Sequence, residues 1–187
     1  REAFVELVDG LLLGDGCLAP NGMLLVGQTD RRVGWLHQIA SELRRFRCAA
    51  DVRFQSAERE FCIRGKKYQA KSSSVLRTRV YKELKEQRAR WYPNGCSAKR
   101  VPHDVRVSPK SIAHWFAGDG SSSRLGDLIF CTNSFTVAEV EHLVRKLPVE
   151  ARRVPLSSRP GPSLIPLTQR HEAVTLANPI RRPLPSC

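Results

Sequence analysis

Apolar residues at helical spacing open the chain. In EAFVELVDGLLLGDG (residues 2–16), Phe4, Leu7, Val8, Leu11 and Leu12 recur every three or four positions, and Gly14-Asp15-Gly16 stops the run. The pattern then shortens into a hairpin-like stretch from Cys17 to Thr29, with the turn signal Pro20-Asn21-Gly22 before MLLVGQT. Asp30 stands where an N-cap would open a helix carrying Val33, Leu36, Ile39, Ala40, Leu43 and Phe46. Two strand-like runs follow, VRFQ and REFCIRGKKYQA, and then a helical stretch from Val75 to Arg90. The predicted order is helix, two strands, helix, two strands, helix.

From Ser108 the order begins again. Ser108-Pro109 is a capping residue with proline at the first helical position, and SIAHWFA runs into Gly118-Asp119-Gly120. The strand-like DLIFCTN comes next, and Thr136-x-x-Glu139 forms a capping box for a helix with Val140, Leu143, Val144 and Leu147. In the proline-rich tail, VPLSS and SLIPLTQR read as short strands before a last helix at 170–177. The two Gly-Asp-Gly sites lie 104 residues apart, too far for a solenoid repeat and suited to a duplicated small domain. The expected organisation is therefore 1–90, a linker at 91–107 beginning Trp91-Tyr92-Pro93-Asn94-Gly95, and 108–187.

Charge adds a partner to this picture. With 31 Lys and Arg against 18 Asp and Glu, the 187-residue chain carries +13 at neutral pH. That favours a polyanion, nucleic acid or an acidic membrane surface, over a basic protein merely kept soluble by its charge. Hydrophobic residues make up 41% of the chain, enough for a core, and no apolar run reaches the ~18 residues of a membrane span. The six cysteines are scattered singly, which argues against a zinc site or a disulfide scaffold and suits a reducing compartment. The chain starts at Arg1, as expected of a removed leader or a trimmed end.

An aspartate just past an apolar helix faces the negative end of the helix dipole, which is disfavoured by roughly 0.3–1 kcal/mol. Its occurrence at matching points of a repeated unit points to function. Gly10 and Gly14 in the first helix, and Ala113, Ala117 and Gly118 in the second, would let the two helices approach closely. Side by side, they would bring Asp15 and Asp119 together. Adjacent carboxylates repel, and a divalent cation removes that cost; an oxygen-only ligand set points to magnesium rather than zinc. Beside a basic surface, such a centre suits phosphodiester hydrolysis.

VDGLLLGDG (8–16) and IAHWFAGDG (112–120) resemble the two signature helices of the LAGLIDADG homing endonucleases. WYPNGCSAKRVPHDV (91–105) and CTNSFTVAEVEHL (131–143) resemble further segments of that family. The resemblance implies an α+β fold with duplicated αββαββα halves related by a pseudo-two-fold axis. The signature helices would lie at the interface, beneath two saddle-shaped antiparallel sheets in the DNA major groove. It also implies magnesium held by Asp15 and Asp119, assisted by the backbone carbonyls of Gly14 and Gly118. Lys99 takes the place of a family lysine that polarises the attacking water or stabilises charge. Three departures stand out. Leu13 replaces an often acidic position, Gly118 replaces the usual Asp, and a second lysine expected near the C-terminus is missing, with only Arg181 and Arg182 nearby.

Strand alternation places Gln28, Arg53, Gln55, Arg64, Lys66, Gln69 and Lys71 on a nucleic-acid face. Arg124, Thr132, Asn133, Arg153, Ser157 and Arg159 are their expected counterparts. Arg and Gln can read guanine and adenine edges, while Lys mostly contacts phosphate. Trp35 and Trp115 read as core. Arg77, Arg79, Lys82 and Lys85 read as a basic helix face or a solvated surface. The leading expectation is a monomeric, magnesium-dependent, sequence-specific endonuclease on double-stranded DNA, with no membrane association. The alternative is a non-catalytic binder of intron or ribosomal RNA with the same fold; a regulator that only binds duplex DNA ranks third. Arg, Ala and Pro richness and the missing N-terminal Met suggest import into an organelle, mitochondrion or chloroplast.

Overall fold

The computed structural model describes residues 1–63, 65–124, 126–148, 151–155 and 172–176. Helix α1 (Glu2–Leu13) is buried along Leu7–Leu13 on every side, Asp9 and Gly10 included. A helix apolar all round must sit inside the molecule, and α1 does so by packing on α4 (Pro109–Asp119). Strands β1 (Gly16–Leu18) and β2 (Leu24–Thr29) form the expected hairpin, turning through Gly22 at φ +88°. Helix α2 (Val33–Arg45) buries Leu36, Ile39, Ala40 and Leu43 as its periodicity predicts.

Strands β3 (Ala50–Ser56), β4 (Arg59–Ile63), β5 (Lys66–Ala70) and β6 (Ser73–Thr78) follow, then α3 (Lys82–Trp91). Two expectations fail here. The helix predicted from Val75 starts only at Lys82, because Val75 and Leu76 pair in β6 with Gly27 and Val26, so Arg77 is a strand residue. The single run REFCIRGKKYQA is a two-stranded ribbon that turns at Gly65, φ +77°. Asp30 is not the α2 N-cap either. It opens a 3-10 turn, and its Oδ1 accepts a hydrogen bond from Ser74 Oγ at 2.6 Å.

In the rest of the chain, Ser108 caps α4 through a box with Ser111, and Pro109 takes the first turn. Strands β7 (Gly120–Ser122) and β8 (Leu128–Cys131) precede α5 (Val137–Lys146), whose capping box is the predicted Thr136–Glu139 pair. Strands β9 (Ala151–Pro155) and β10 (Glu172–Leu176) complete the described elements. The predicted last helix at 170–177 is thus corrected: residues 172–176 pair as a strand with β8 and β9. The tail motif SLIPLTQR and Arg181 and Arg182 lie outside the described residues.

Two four-stranded antiparallel sheets result, ordered β1-β2-β6-β3 and β7-β8-β10-β9. Leu24, Val26 and Leu76 of one, and Phe130 and Val174 of the other, are fully buried on the helix side. One core cluster runs from Phe4 to Val174 and includes Trp115, with Trp35 packed at its edge. The 91–107 segment is bolted to α1 by a polar network. Asp9, fully buried, accepts from Trp91 Nε1 at 2.9 Å, Arg90 Nη2 at 3.0 Å and Arg106 N at 2.8 Å. Among the described residues no helix is long and apolar enough to cross a membrane.

Candidate active site

The α1–α4 seam is a backbone-to-backbone contact. A Cβ on Gly10 would lie 2.6 Å from the Ser111 backbone, and one on Gly118 would lie 3.0 Å from Asp15 N and 3.2 Å from Gly14 Cα. Glycine is required at these two positions because any side chain would force the helices apart. Of the small residues read from the sequence, Gly10, Gly14 and Gly118 form the seam. Ala113 is exposed instead, and Ser111 takes the place facing Gly10.

Asp15 follows the end of α1 and Asp119 is the last residue of α4, so this seam sets their carboxyl groups beside one another. Asp119 is half-buried. Burial, the Asp15 charge and a hydrogen bond donated by protonated Asp119 to Asp15 push its pKa up to about 7, against an opposing pull from Lys99. These are the marks of a half-buried acid held beside a second, exposed one.

Both helix ends carry a cation. Lys99 Nζ donates to the carbonyls of Leu12 and Gly14 at 2.8 Å and of Gly16 at 3.0 Å. An ammonium has three protons, and all three are engaged. Burial lowers the Lys99 pKa, while Asp119, Cys17 and Asp15 act to raise it. Lys99 is therefore a fixed charge that satisfies the orphan carbonyls of α1 and offsets the misplaced carboxylate. Arg32 does the same for α4, donating from Nη1 to Ala117 O at 2.7 Å and Gly118 O at 3.2 Å. Sequence reasoning missed Arg32. Its only signal was a pair of arginines in a turn, and its target lies 85 residues away. The Gly14 and Gly118 carbonyls, expected to assist a metal, already accept from these two cations.

The expected nucleic-acid residues divide. Arg53 and Gln55 are exposed near the end of β3, Arg53 beside Asp51 at 3.4 Å. Gln69 and Lys71 are exposed, and so is Lys66. However, Lys66 and Gln69 are an odd number of residues apart in β5 and point to opposite faces of the ribbon, so they do not share one surface. Gln28 continues the Leu24–Val26 parity and faces the helices, where Nε2 donates to Asp15 Oδ2. It belongs to the carboxylate site and not to the open face. Thr132 likewise continues the Phe130 parity and is buried, which removes it from the reading surface. Arg124 and Asn133 are exposed. Arg153 pairs with Val174 in β9, while Arg64, Ser157 and Arg159 lie outside the described residues.

With this geometry in view, the comparisons are specific. The model of the LAGLIDADG DNA endonuclease family matches residues 5–151. An uncharacterized protein of Methanocaldococcus jannaschii is 34% identical over 149 residues, covering 75% of this chain and 53% of that protein. The chain thus spans about half the length of this curated relative. Among solved structures, the homing endonuclease I-WcaI bound to its DNA recognition sequence is similar in fold, with a TM-score of 0.67 and 16% identity. The match covers 94% of this chain and 76% of that one.

Proposed function

The chain belongs to the LAGLIDADG DNA endonuclease family, and from that premise we propose that it is a sequence-specific, magnesium-dependent endonuclease that hydrolyses both strands of duplex DNA. One observation carries the reading: the carboxylate pair formed by Asp15 and Asp119 at a glycine-tight helix seam. A protein that only binds nucleic acid has no need to force two acids together at this cost.

The donor set fits magnesium. Among the described residues no group of three or more His, Cys, Asp and Glu is placed to hold a metal. Magnesium commonly binds through one or two carboxylates and takes its remaining ligands from water and substrate phosphate. Bound there, it would supply Lewis-acid stabilisation of the phosphate and a lowered pKa for water. The chain's own groups do the rest. Asp15 and Asp119 would hold the ion, Gln28 orients Asp15, and Lys99 and Arg32 hold the two helix ends and place positive charge beside the phosphates. The shared strand order of the two sheets supports a duplicated origin, with halves at 1–90 and 108–187. Their open faces, with Arg53, Gln55 and Arg77 on one and Arg124 and Asn133 at the other, are the proposed groove surface.

The test is cleavage of a randomised duplex library with magnesium, beside Asp15→Asn and Asp119→Asn. Specific cuts by the wild type, lost by at least 10²-fold in each variant, are expected. RNA binding without cuts, unchanged in both variants, would establish the RNA-binding alternative.

A further inference from the structure

Lys99 stands in the 91–107 segment, and the backbone bonds on its downstream side show what holds it there. Arg100 N donates to Trp91 O at 2.8 Å, and Val101 N donates to Glu139 Oε1 at 2.8 Å. Pro102 has no N–H to give, and Val105 N only closes a turn on Pro102 O at 3.0 Å. Glu139, 38 residues further along the chain than Val101, therefore grips the backbone two residues from Lys99.

The same carboxylate completes the capping box of α5. Its Oε2 accepts from Thr136 N at 2.6 Å and from Thr136 Oγ1 at 2.8 Å. Glu139 thus divides its two oxygens between the start of α5 and the backbone beside Lys99. Its side chain is only 15% exposed, so these bonds are largely shielded from water. One turn further along α5, His142 Nε2 donates to His103 O at 2.9 Å, and the two imidazoles stack with centroids 5.1 Å apart. The Phe135 ring, just before the cap, has its centroid 5.9 Å from Lys99 Nζ.

We infer that Glu139 is a positioning residue for Lys99: from α5 it fixes the backbone from which the ammonium reaches the end of α1. The consequence for cleavage rests on the endonuclease reading. Two residues of trans backbone span at most about 7 Å, so anchoring Val101 N confines the Lys99 backbone closely. Lys99 Nζ must meet the carbonyls of Leu12, Gly14 and Gly16 together, all within 3.0 Å. A flexible four-carbon stem loses rotamer freedom in doing so, and a loose backbone beneath it would add to that cost. At a reacting site, misplacement by about 1 Å can cost on the order of 10²-fold in rate.

The experiment uses the full chain and two readouts. In the first, without DNA or metal, lysines are acetylated with limiting acetic anhydride and Lys99 is followed by peptide mass spectrometry, with exposed Lys66 as reference. Glu139→Ala should raise the Lys99 rate about tenfold, because loss of a charge-assisted hydrogen bond makes local opening easier. Thr136→Ala removes the cap hydroxyl but leaves Glu139 and Val101, and should leave Lys99 shielded. Glu139→Gln keeps the length and one carbonyl oxygen; it should fall between, and it carries the test if Glu139→Ala does not fold. In the second readout, cleavage of a duplex site selected from a randomised library is followed with magnesium. Glu139→Ala should lower kcat by on the order of 10²-fold with KM unchanged, whereas Thr136→Ala should leave both. Equal effects of the Glu139 and Thr136 variants would reduce Glu139 to a helix cap and overturn the inference, leaving the endonuclease reading intact. A Lys99 that stays shielded in Glu139→Ala overturns it too. If the wild type cuts no duplex, the endonuclease reading falls and the role of Glu139 in cleavage falls with it, whatever the acetylation shows.

Discussion

At the scale of single residues, Asp119 reports most directly on the site. Its folded pKa stands near 7 against an ordinary 3.8, so the folded state holds a proton that the unfolded state has released. For an acid whose pKa is raised, the associated stability is present below about pH 4 and is lost as pH climbs to about 7. A divalent ion replaces the proton as the neutralising charge. Magnesium should therefore raise the melting temperature at pH 8 and do little at pH 5. Asp119→Asn should flatten the pH dependence and abolish the magnesium response; thermal melts across both pH values check this. An equal magnesium shift in the variant would place the ion elsewhere.

At the scale of elements, the α1–α4 pair carries the geometry. Alanine at Gly10 would put a methyl group 2.6 Å from the Ser111 backbone, a contact that only helix separation relieves. The helix propensity of alanine is favourable by about 1 kcal/mol, and overpacking costs about 1–3 kcal/mol. Gly10→Ala should thus lower stability in a chemical-denaturation experiment and cut activity more than stability, because the carboxylates are carried apart with the helices. Elsewhere, local and long-range rules disagreed in a consistent way. Residues 73–78 and 172–176 become strands because each completes a sheet whose partners lie far off in sequence: β6 lies between β2 and β3, and β10 between β8 and β9. Their own pattern could not announce this, since an apolar run buried in a sheet looks much like one buried in a helix.

At the scale of the whole molecule, net charge favours a polyanionic partner. A net +13 makes binding to a polyanion dependent on counterion release, so the slope of log affinity against log salt should be steep and negative, near −0.9 for each phosphate neutralised. Fluorescence anisotropy of a labelled duplex between low and physiological salt measures it. Arg53→Ala, on the open face, should reduce the slope by about one, whereas Asp15→Asn should leave it unreduced. A slope near zero would dissociate the basic surface from binding.

The sequence by itself determined the signature helices, the two aspartates, the α2 and α5 stripes, the helix starts at Ser108 and Thr136, and a net charge that favours a polyanion. Those features arise from local periodicity, capping chemistry and summed charge, all of which are written in short windows. The tertiary structure alone decided that Gln28 turns to Asp15, that Thr132 is buried, and that Lys99 and Arg32 each close a helix end more than 80 residues away. A side chain's face depends on strand register, and a helix end's partner depends on what packing brings near it. Neither is set until the two sheets close over the paired helices.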